Sequence, residues 1–490
     1  MPRKPRPVHT TTDARIIVMI TVAVPSTWRN ERRYAVNAVL GDILGVPHEV
    51  REHASAETCL SRSGSDPHRC IRVSDAFFGI TSQATWLTPA TLPRPGLTTW
   101  QVSNELPEAR TVHSTIPIIF GDAASQPLWR AQHDGSASLG LDVFGSAFFM
   151  LTRYEELVTP NRDQHDRFPA SASIAYREGF LERPIINEYA EILWACMQRL
   201  WPGLTRPKRA PRLLLSHDVD WPVLPAMRPA SIAMSLAGDV VKRRQPRLAT
   251  RRLRAYLERR WGRYTHDPFN TFDLLMDISD EHRLRSAFYF IADRTADGLD
   301  GEYTLRDPFI RSLMRRVHDR GHEIGLHPSY HTYRDPVQLK LEFDRLRSTA
   351  TDVGVDQSVW GGRQHYLRWE APTTWRIWQH AGLDYDATVG YADHIGFRAG
   401  VCNEYRTFDV RAGEPLDVVE RPLVIMEQTL LARQYMATPY DTAHERARSV
   451  IDATLLLDGD LTLLWHNSHL LGSKDETLLR GLLAYAMRRG

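Results

Sequence analysis

The C-terminal part of the chain alternates short apolar runs with segments of helical periodicity. Most intervals between the runs place apolar residues at helical spacing, as in 308–320 and 337–350. Strands that alternate with helices predict a parallel sheet with helical crossovers. Seven runs over about 280 residues indicate a barrel one strand short of the usual eight. The runs are 213–216, 287–292, 323–326, 358–360, 385–389, 423–427 and 461–465.

The segment 16–201 has the pattern of a separate α/β unit. An apolar, β-branched run at 16–24 predicts a strand, and 31–44 predicts a helix that ends at Gly45. The remaining predicted elements are strands at 70–73 and 116–120 and helices at 141–157 and 187–200.

A Pro-rich, basic stretch without periodicity, 202–211, separates these two parts. A chain of 490 residues also exceeds one ordinary domain. We therefore expect an α/β protein of two domains. The first is an N-terminal α/β domain of unknown function, 1–205, and the second is a distorted (β/α)7 barrel, 206–490.

Composition places the chain among globular proteins. Hydrophobic residues make up 42% and charged residues 24%, and the formal net charge of +2 does not favour a nucleic-acid partner. The four cysteines have no metal-type spacing and fit reduced thiols. The run 16–24 is too short to span a bilayer and lacks a small-residue cleavage site. We expect a cytoplasmic protein without a transmembrane segment.

A basic stretch interrupts the pattern between the first two runs of the barrel. From Lys242 to Arg263 it contains ten Lys or Arg residues and a single acid, Glu258. We favour a solvated helical face on an insertion. The alternative is a surface for anionic glycans or membrane headgroups. Only Tyr256 and Trp261 could stack on bases, which weakens nucleic acid as a ligand.

Side chains that can bind a metal follow three of the predicted strands. Asp218 and Asp220 come directly after the first strand. His327 and His331 follow the third strand, and His466 follows the seventh. Because α/β barrels build active sites at the carboxyl ends of their strands, we expect these five side chains to lie close together.

The spacing within the two pairs suits a mononuclear metal site. Asp218 and Asp220 point the same way on an extended strand, and a cation relieves their mutual repulsion. One Asp then binds the metal and the other serves as a general base. On a helical turn His327 and His331 share one face. Two His and one carboxylate, with open positions, form a catalytic set for Zn²⁺ or another divalent metal.

Four segments carry a specific resemblance. They read Ser-His-Asp-Val-Asp at 216–220, Ser-Ala-Phe-Tyr-Phe at 286–290, Gly-His-Glu-Ile-Gly-Leu-His-Pro-Ser-Tyr-His at 321–331 and Leu-Trp-His at 464–466. In sequence and order they resemble the catalytic domain of the polysaccharide deacetylases, the NodB-type carbohydrate esterases of family 4. The resemblance covers about 211–490. Val219 is a departure, since the usual pattern has adjacent acids.

The resemblance implies a role for each of the five side chains. Asp218 is the general base, and Asp220, His327 and His331 are the metal ligands. His466 is the general acid, with His469 or His365 as substitutes should it not take part. The roles of the two aspartates could be reversed.

The family also has an arginine that supports the catalytic Asp. Arg363 and Arg368 both follow the fourth predicted strand. We choose Arg368, because Pro372 follows it as a proline follows the family arginine. A structural ion pair to another acid is equally compatible with either residue.

The N-terminal part resembles an uncharacterised domain that precedes deacetylase domains of the Asp-Val-Asp type. The similar segments are 31–34, 148–156 and 167–169. This resemblance implies an architecture and supplies no activity. We favour a scaffold that packs on the barrel and shapes its cleft over an independent ligand site.

The resemblance implies a metal-dependent deacetylase, with Zn²⁺ the expected metal, that hydrolyses the acetamide of an N-acetylated sugar or polysaccharide and releases acetate. One alternative is a hydrolase of another amide or ester on the same scaffold. A second is a non-catalytic glycan-binding protein. The presence of all three ligands and both acid–base residues argues against this second alternative.

Overall fold

A computed structural model describes residues 19–489, except 56, 65, 67, 123–126, 226–228 and 243. The basic start of the chain and residues 16–18 of the first predicted strand therefore lie outside the described residues. The described chain is a mixed α/β protein with three sheets. None of the helices in these ranges is long and apolar enough to cross a membrane.

The N-terminal part is built on a six-stranded sheet with helices packed against it. The strands of the N-terminal part are β1 (Ile20–Pro25), β2 (His48–His53), β3 (Thr58–Arg62), β4 (Cys70–Val73), β5 (Thr99–Gln101), β6 (Thr115–Pro117), β7 (Trp129–Ala131) and β8 (Ala137–Leu139). The sheet has the order β2-β1-β3-β4-β8-β7, and β5 pairs with β6 separately. The helices are α1 (Arg29–Val36), α2 (Ala76–Ile80), α3 (Val102–Glu105), α4 (Val143–Leu151), α5 (Tyr154–Val158), α6 (Ile174–Arg177) and α7 (Ile185–Leu200).

Two predicted helices of this part differ from the structure in detail. The helix predicted at 31–44 is α1 continued by a π-helical segment, Asn37–Ile43, and Gly45 follows it with a φ of 65°. The helix predicted at 141–157 is divided into α4 and α5. Arg153 lies between them with a φ of 55°, a left-handed conformation that ends a helix.

The C-terminal part contains a nine-stranded sheet. Its strands are β9 (Arg212–Val219), β10 (Ala287–Phe290), β11 (Glu323–Leu326), β12 (Gly361–Gly362), β13 (Tyr385–Asp386), β14 (Tyr405–Asp409), β15 (Glu414–Glu420), β16 (Ile425–Met426) and β17 (Asp460–Leu464). The order is β14-β15-β13-β12-β11-β10-β9-β17-β16. Neighbours are parallel except β14 and β15, which are antiparallel.

The helices of the C-terminal part occupy most intervals between these strands, as the alternating pattern predicts. They are α8 (Pro229–Ala237), α9 (Pro246–Glu258), α10 (Phe272–Glu281), α11 (Pro308–Asp319), α12 (Pro336–Asp352), α13 (Thr373–Ala381), α14 (Glu427–Leu431), α15 (Tyr440–Leu456) and α16 (Ser473–Arg489).

The prediction of a parallel sheet is confirmed, with two corrections to its strands. The fourth strand is β12, directly after the predicted run 358–360, because two glycines allow neighbouring strands to approach closely there. The pair of β14 and β15 is an addition that the sequence pattern did not indicate. The sheet ends at β14 and β16, and only four residues separate β15 from β16. Closure into a seven-stranded barrel stays a prediction.

The two parts share a hydrophobic core. Trp375 and Phe408 of the C-terminal part are buried in the same cluster as Tyr34 and Phe148 of the N-terminal part. The Phe408 ring lies 4.8 Å from the Tyr34 ring and 5.5 Å from the Phe148 ring, measured between centroids. The two parts therefore pack directly against each other. The domain boundary at residue 205 stays a prediction.

Candidate metal centre and cleft

The carboxyl ends of the central parallel strands bring the candidate side chains together. Asp218 lies at the end of β9 and Asp220 directly follows that strand. His327 follows β11, and His466 follows β17, which is the neighbour of β9 on its other side. Alternation along an extended chain directs both aspartates to the same side, with Val219 buried in the core between them.

Three imidazoles converge on Asp220. The Nε2 atom of His327 lies 3.0 Å and that of His365 lies 3.6 Å from Asp220 Oδ1. The Nε2 atom of His466 lies 3.6 Å from Asp220 Oδ2. Ligand atoms of Asp220, His327 and His365 all lie within 4.8 Å of one another. This separation is compatible with a single cation that contacts all three.

Each of these imidazoles is held through its Nδ1 atom. His327 Nδ1 lies 2.6 Å from the backbone oxygen of Arg363, and His365 Nδ1 lies 2.8 Å from Asp300 Oδ1. His466 Nδ1 lies 2.5 Å from Glu427 Oε1. Hydrogen bonding of this kind fixes the tautomer and the orientation of metal-binding imidazoles. It leaves all three Nε2 atoms directed at Asp220.

The charges at this point favour an ionised carboxylate and a protonated His466. Burial alone would raise the pKa of Asp220, but His365, His327 and His466 hold it far below its usual range. Burial alone would lower the pKa of His466, but the charge and hydrogen bond of Glu427, with Asp220, raise it to about 10.

The donor set fits a divalent cation. Asp220 Oδ1 is buried and accepts no hydrogen bond from the described residues, although His327 Nε2 is close to it. An ionised, buried oxygen without a hydrogen bond costs free energy unless a cation compensates it. One carboxylate and two neutral imidazole nitrogens are typical ligands of Zn²⁺ and of similar metals.

His331 lies outside this cluster, which corrects its predicted position. It is exposed, and its Nδ1 atom lies 3.4 Å from a nitrogen of Arg368. The prediction assumed a helical turn from His327 to His331. Pro328 disfavours the helical conformation at His327, so the two imidazoles do not share a face. His365, which the sequence suggested only as a substitute acid, occupies the third position of the cluster instead.

The arginine beside Asp218 is Arg363, which corrects the choice of Arg368. The Arg363 guanidinium donates to Asp218 Oδ1 at 2.8 Å and to Ser216 Oγ at 3.0 Å. Arg363 directly follows β12, so it reaches the sheet edge where β9 ends. Arg368 is five residues further on, where it donates to the backbone oxygens of Tyr330 and His165.

Two acids with a positioning role were missed by the sequence analysis. Asp300 accepts hydrogen bonds from His365 and from the backbone N–H of Tyr330, and Glu427 contacts both His466 and His469. Both acids are almost completely buried. Asp300 lies in a loop without a motif. Glu427 ends the sixth predicted run, and a charged residue at the end of an apolar strand was the one available signal.

A cleft of about 600 Å³ opens at Asp218 and Asp220, and the N-terminal part forms one of its walls. His165 and Arg167 come from the loop 159–169, which follows α5. The Nδ1 atom of His165 lies 2.9 Å from the hydroxyl of Tyr330. Arg167 donates to the backbone oxygen of Tyr366 at 3.0 Å. The N-terminal part therefore contributes to the candidate site itself.

Comparisons with known proteins give a family for the N-terminal part alone. Residues 20–202 match a family described as a family of unknown function (DUF7033). No curated protein matches the chain.

Solved structures resemble the chain over part of its length. A protein from Mycobacterium smegmatis, provisionally named a polysaccharide deacetylase, is 16% identical with a TM-score of 0.37, covering 58% of this chain and 86% of its own. The Puue allantoinase is 13% identical with a TM-score of 0.34, and the match covers 59% of this chain and 86% of that chain. A polysaccharide deacetylase from Bacillus cereus is 10% identical with a TM-score of 0.28, and the match covers 58% of this chain and 89% of that chain. At TM-scores this low, the similarities decide neither the fold nor the activity of this chain.

Proposed function

We propose that the protein is a metal-dependent hydrolase that removes the acetyl group from an N-acetylated sugar or polysaccharide. The observation that supports this most is the convergence of three Nδ1-anchored imidazoles on Asp220, next to Asp218 in its ion pair with Arg363. A metal position, a candidate base and a candidate acid thereby meet at the floor of one cleft.

Asp220, His327 and His365 would hold the cation. When bound, a divalent ion such as Zn²⁺ supplies Lewis-acid chemistry that activates water and polarises an acyl carbonyl. Asp300 fixes His365 for this role and the backbone of Arg363 fixes His327, so the ligands are oriented before the ion arrives.

Asp218 is the proposed general base. It is 2% exposed, and only one of its oxygens bonds Arg363. The other oxygen, Oδ2, lies 3.8 Å from His327 Nε2 and has no hydrogen bond with the described residues. This oxygen is available to take the proton of an attacking water, while the hydrogen bond from Arg363 keeps the carboxylate oriented.

His466 is the proposed general acid. Its Nε2 atom faces the metal position, and Glu427 on its Nδ1 side keeps the imidazole protonated at neutral pH. A leaving amine needs a proton when the C–N bond breaks, and His466 can donate it from across the site. A deacetylation of this kind yields acetate and a free amino sugar.

The sugar substrate rests on the sequence resemblance and on the character of the cleft. The walls carry acids, amides and imidazoles together with the aromatic rings of Trp221, Tyr366 and Tyr435. Such a mixture suits a hydroxylated ligand, since aromatic rings stack on sugar faces and the polar groups bond hydroxyls.

Acetate release from a panel of N-acetylated glycans tests the proposal, with metal content measured on the same sample. We expect acetate from at least one glycan in the zinc-loaded protein. Asp218→Asn should retain zinc and lose about 10²- to 10⁴-fold in rate, because an amide cannot accept the proton. Hydrolysis of linear or cyclic ureides alone, or a glycan left intact by metal-loaded protein, would contradict the proposal.

A further inference from the structure

The insertion between β9 and β10 exposes large apolar side chains at high density. Six of the fifteen such side chains in the described residues fall within 234–261. Protein surfaces usually carry exposed apolar residues singly, and clusters mark sites of interaction. The six are Met234, Val240, Val241, Leu253, Leu257 and Trp261.

Three of these side chains form a stripe along α9 and the turn that follows it. Leu253, Leu257 and Trp261 succeed one another at intervals of four residues and are 44%, 50% and 81% exposed. Residues four apart lie on the same face of a helix. The opposite face of α9, with Leu248 and Ala255, is buried. The helix therefore has one buried face and a second face on which these apolar side chains are exposed.

The segment that carries this stripe also exposes many cations, and its acids are engaged in pairs of their own. Asp239 is buried and paired with Arg252 at 2.8 Å, and Glu258 is bonded to His266. Residue 243 lies outside the described residues. Six exposed cations remain, namely Lys242, Arg244, Arg247, Arg254, Arg260 and Arg263. We call the exposed side chains of Val240–Arg263 the insertion face.

We propose that the insertion face binds the surface of an anionic lipid bilayer. Leucine and tryptophan side chains at helical spacing enter the interfacial layer of a bilayer, and flanking Lys and Arg contact anionic headgroups. The insertion face combines both features on a helix that is already folded. The charge also excludes a symmetric contact with a second copy, since such a contact places the same cations opposite each other.

The insertion is fastened at the candidate active site. The Asn467 side chain donates to the backbone oxygens of Trp221 and Phe269, at the two ends of the insertion. Thr271 Oγ1 in turn donates to the backbone oxygen of Asn467, the residue after His466. The base of the insertion is thus joined to the residue that follows His466, and Trp221 itself lines the cleft. If the proposed function holds, substrates presented at a lipid surface are favoured.

Co-sedimentation of the full chain with lipid vesicles tests this proposal without reference to activity. We expect binding to phosphatidylcholine vesicles that contain phosphatidylglycerol and weak binding to phosphatidylcholine alone. Binding should weaken as salt increases. Arg247→Glu/Arg254→Glu and Leu253→Ser/Leu257→Ser/Trp261→Ser should each lower the partition coefficient at least about tenfold.

A matched control lies on α12, where Val337 and Leu341 are 77% and 42% exposed. Val337→Ser/Leu341→Ser should bind vesicles as the wild type does, and circular dichroism should show that all variants are folded. Brominated lipids should quench the fluorescence of wild type more than that of Trp261→Phe. Equal binding to neutral vesicles, or retention by a soluble polyanion such as heparin without vesicle binding, would overturn the proposal.

Discussion

The imidazoles beside Asp220 differ in the group that holds each Nδ1 atom. A backbone carbonyl holds His327, the carboxylate of Asp300 holds His365, and the carboxylate of Glu427 holds His466. The charge and hydrogen bond of Glu427 raise the pKa of His466 to about 10. At the scale of single residues, the partner of His466 suits it to proton transfer, while the proximity of His327 and His365 to Asp220 suits them to metal binding.

Metal binding should depend on His365 and be independent of His331. His365→Ala removes a ligand whose Nε2 atom faces Asp220, whereas His331 is exposed and lies outside the cluster. We expect bound zinc to fall well below one ion per chain in His365→Ala and to remain at the wild-type level in His331→Ala. Asp300→Asn should weaken zinc affinity about 10- to 100-fold. Elemental analysis after dialysis measures the bound zinc of all three variants. Loss of zinc in His331→Ala with zinc retained in His365→Ala would restore His331 as the ligand.

The basic limb of the pH–rate profile should depend on Glu427. The charge and hydrogen bond of Glu427 outweigh burial and raise the pKa of His466 to about 10, so the acid stays protonated as pH rises through neutrality. Glu427→Gln removes that charge, and the basic limb should move to lower pH by about one unit or more.

His469→Ala is the matched control for this change. His469 also contacts Glu427 Oε1 and is more exposed, at 39% of its side chain. Because Glu427 keeps its charge and its hydrogen bond to His466 in this variant, the basic limb should stay near the wild-type position. An unchanged profile in Glu427→Gln would remove His466 from the proposed mechanism.

At the scale of elements, α12 supports the loop that follows β11. Glu342 of α12 is buried, and it accepts hydrogen bonds from the backbone N–H and the hydroxyl of Ser329. Ser329 is two residues from His327. The helix therefore fixes the backbone beside a proposed metal ligand, through a side chain that never contacts the cleft.

The free energy of unfolding should carry a pH-dependent contribution from Glu342. Burial raises its pKa from 4.5 to about 7, against the hydrogen bonds of Ser329 and Gln338. The folded state then binds more protons than the unfolded state between these two values. Stability from this group is complete below pH 4.5 and is lost as pH rises towards 7, by up to about 3 kcal/mol.

Urea unfolding of the wild type and Glu342→Gln at pH 5 and pH 8 measures this contribution. The free energy of unfolding of the wild type, relative to that of the variant, should be lower at pH 8 than at pH 5. The exposed Glu445 provides the control, and Glu445→Gln should show no pH-dependent difference. Parallel pH dependence in wild type and Glu342→Gln would show that Glu342 ionises normally.

At the scale of the whole molecule, a buried ion-pair network joins the two parts of the chain. Glu156 of α5 accepts hydrogen bonds from Arg153 at 2.8 Å and from Arg398 of the C-terminal part at 2.6 Å. All three side chains are 1% or 2% exposed. The same interface carries the cleft wall that His165 and Arg167 form, so its rigidity affects the candidate site.

Removal of Glu156 should destabilise the whole protein. Glu156→Ala leaves two buried guanidinium groups without their carboxylate, and loss of one partner of a buried pair typically costs about 3–5 kcal/mol. Denaturant unfolding should show this loss, while Glu445→Ala should change stability by less than about 0.5 kcal/mol. A similar small effect of both substitutions would indicate that the parts are joined loosely.

The sequence by itself determined the elements and residues that depend on local pattern. The apolar run before Asp218 and the alternation along β9 place both aspartates at the carboxyl end of a strand. The same reasoning placed His327 after β11 and His466 after β17. Strand propensity and periodicity are properties of neighbouring residues, which is why these positions could be predicted.

Only the tertiary structure decided which side chains contact one another. His365 and Asp300 are 65 positions apart, His466 and Glu427 are 39, and their pairing depends on the order of strands in the sheet. Arg363 reaches Asp218 across 145 positions because β12 has a defined register with β11. Local patterns hold no information on such distances, so the third position beside Asp220 and the arginine beside Asp218 emerged from the packing of the chain.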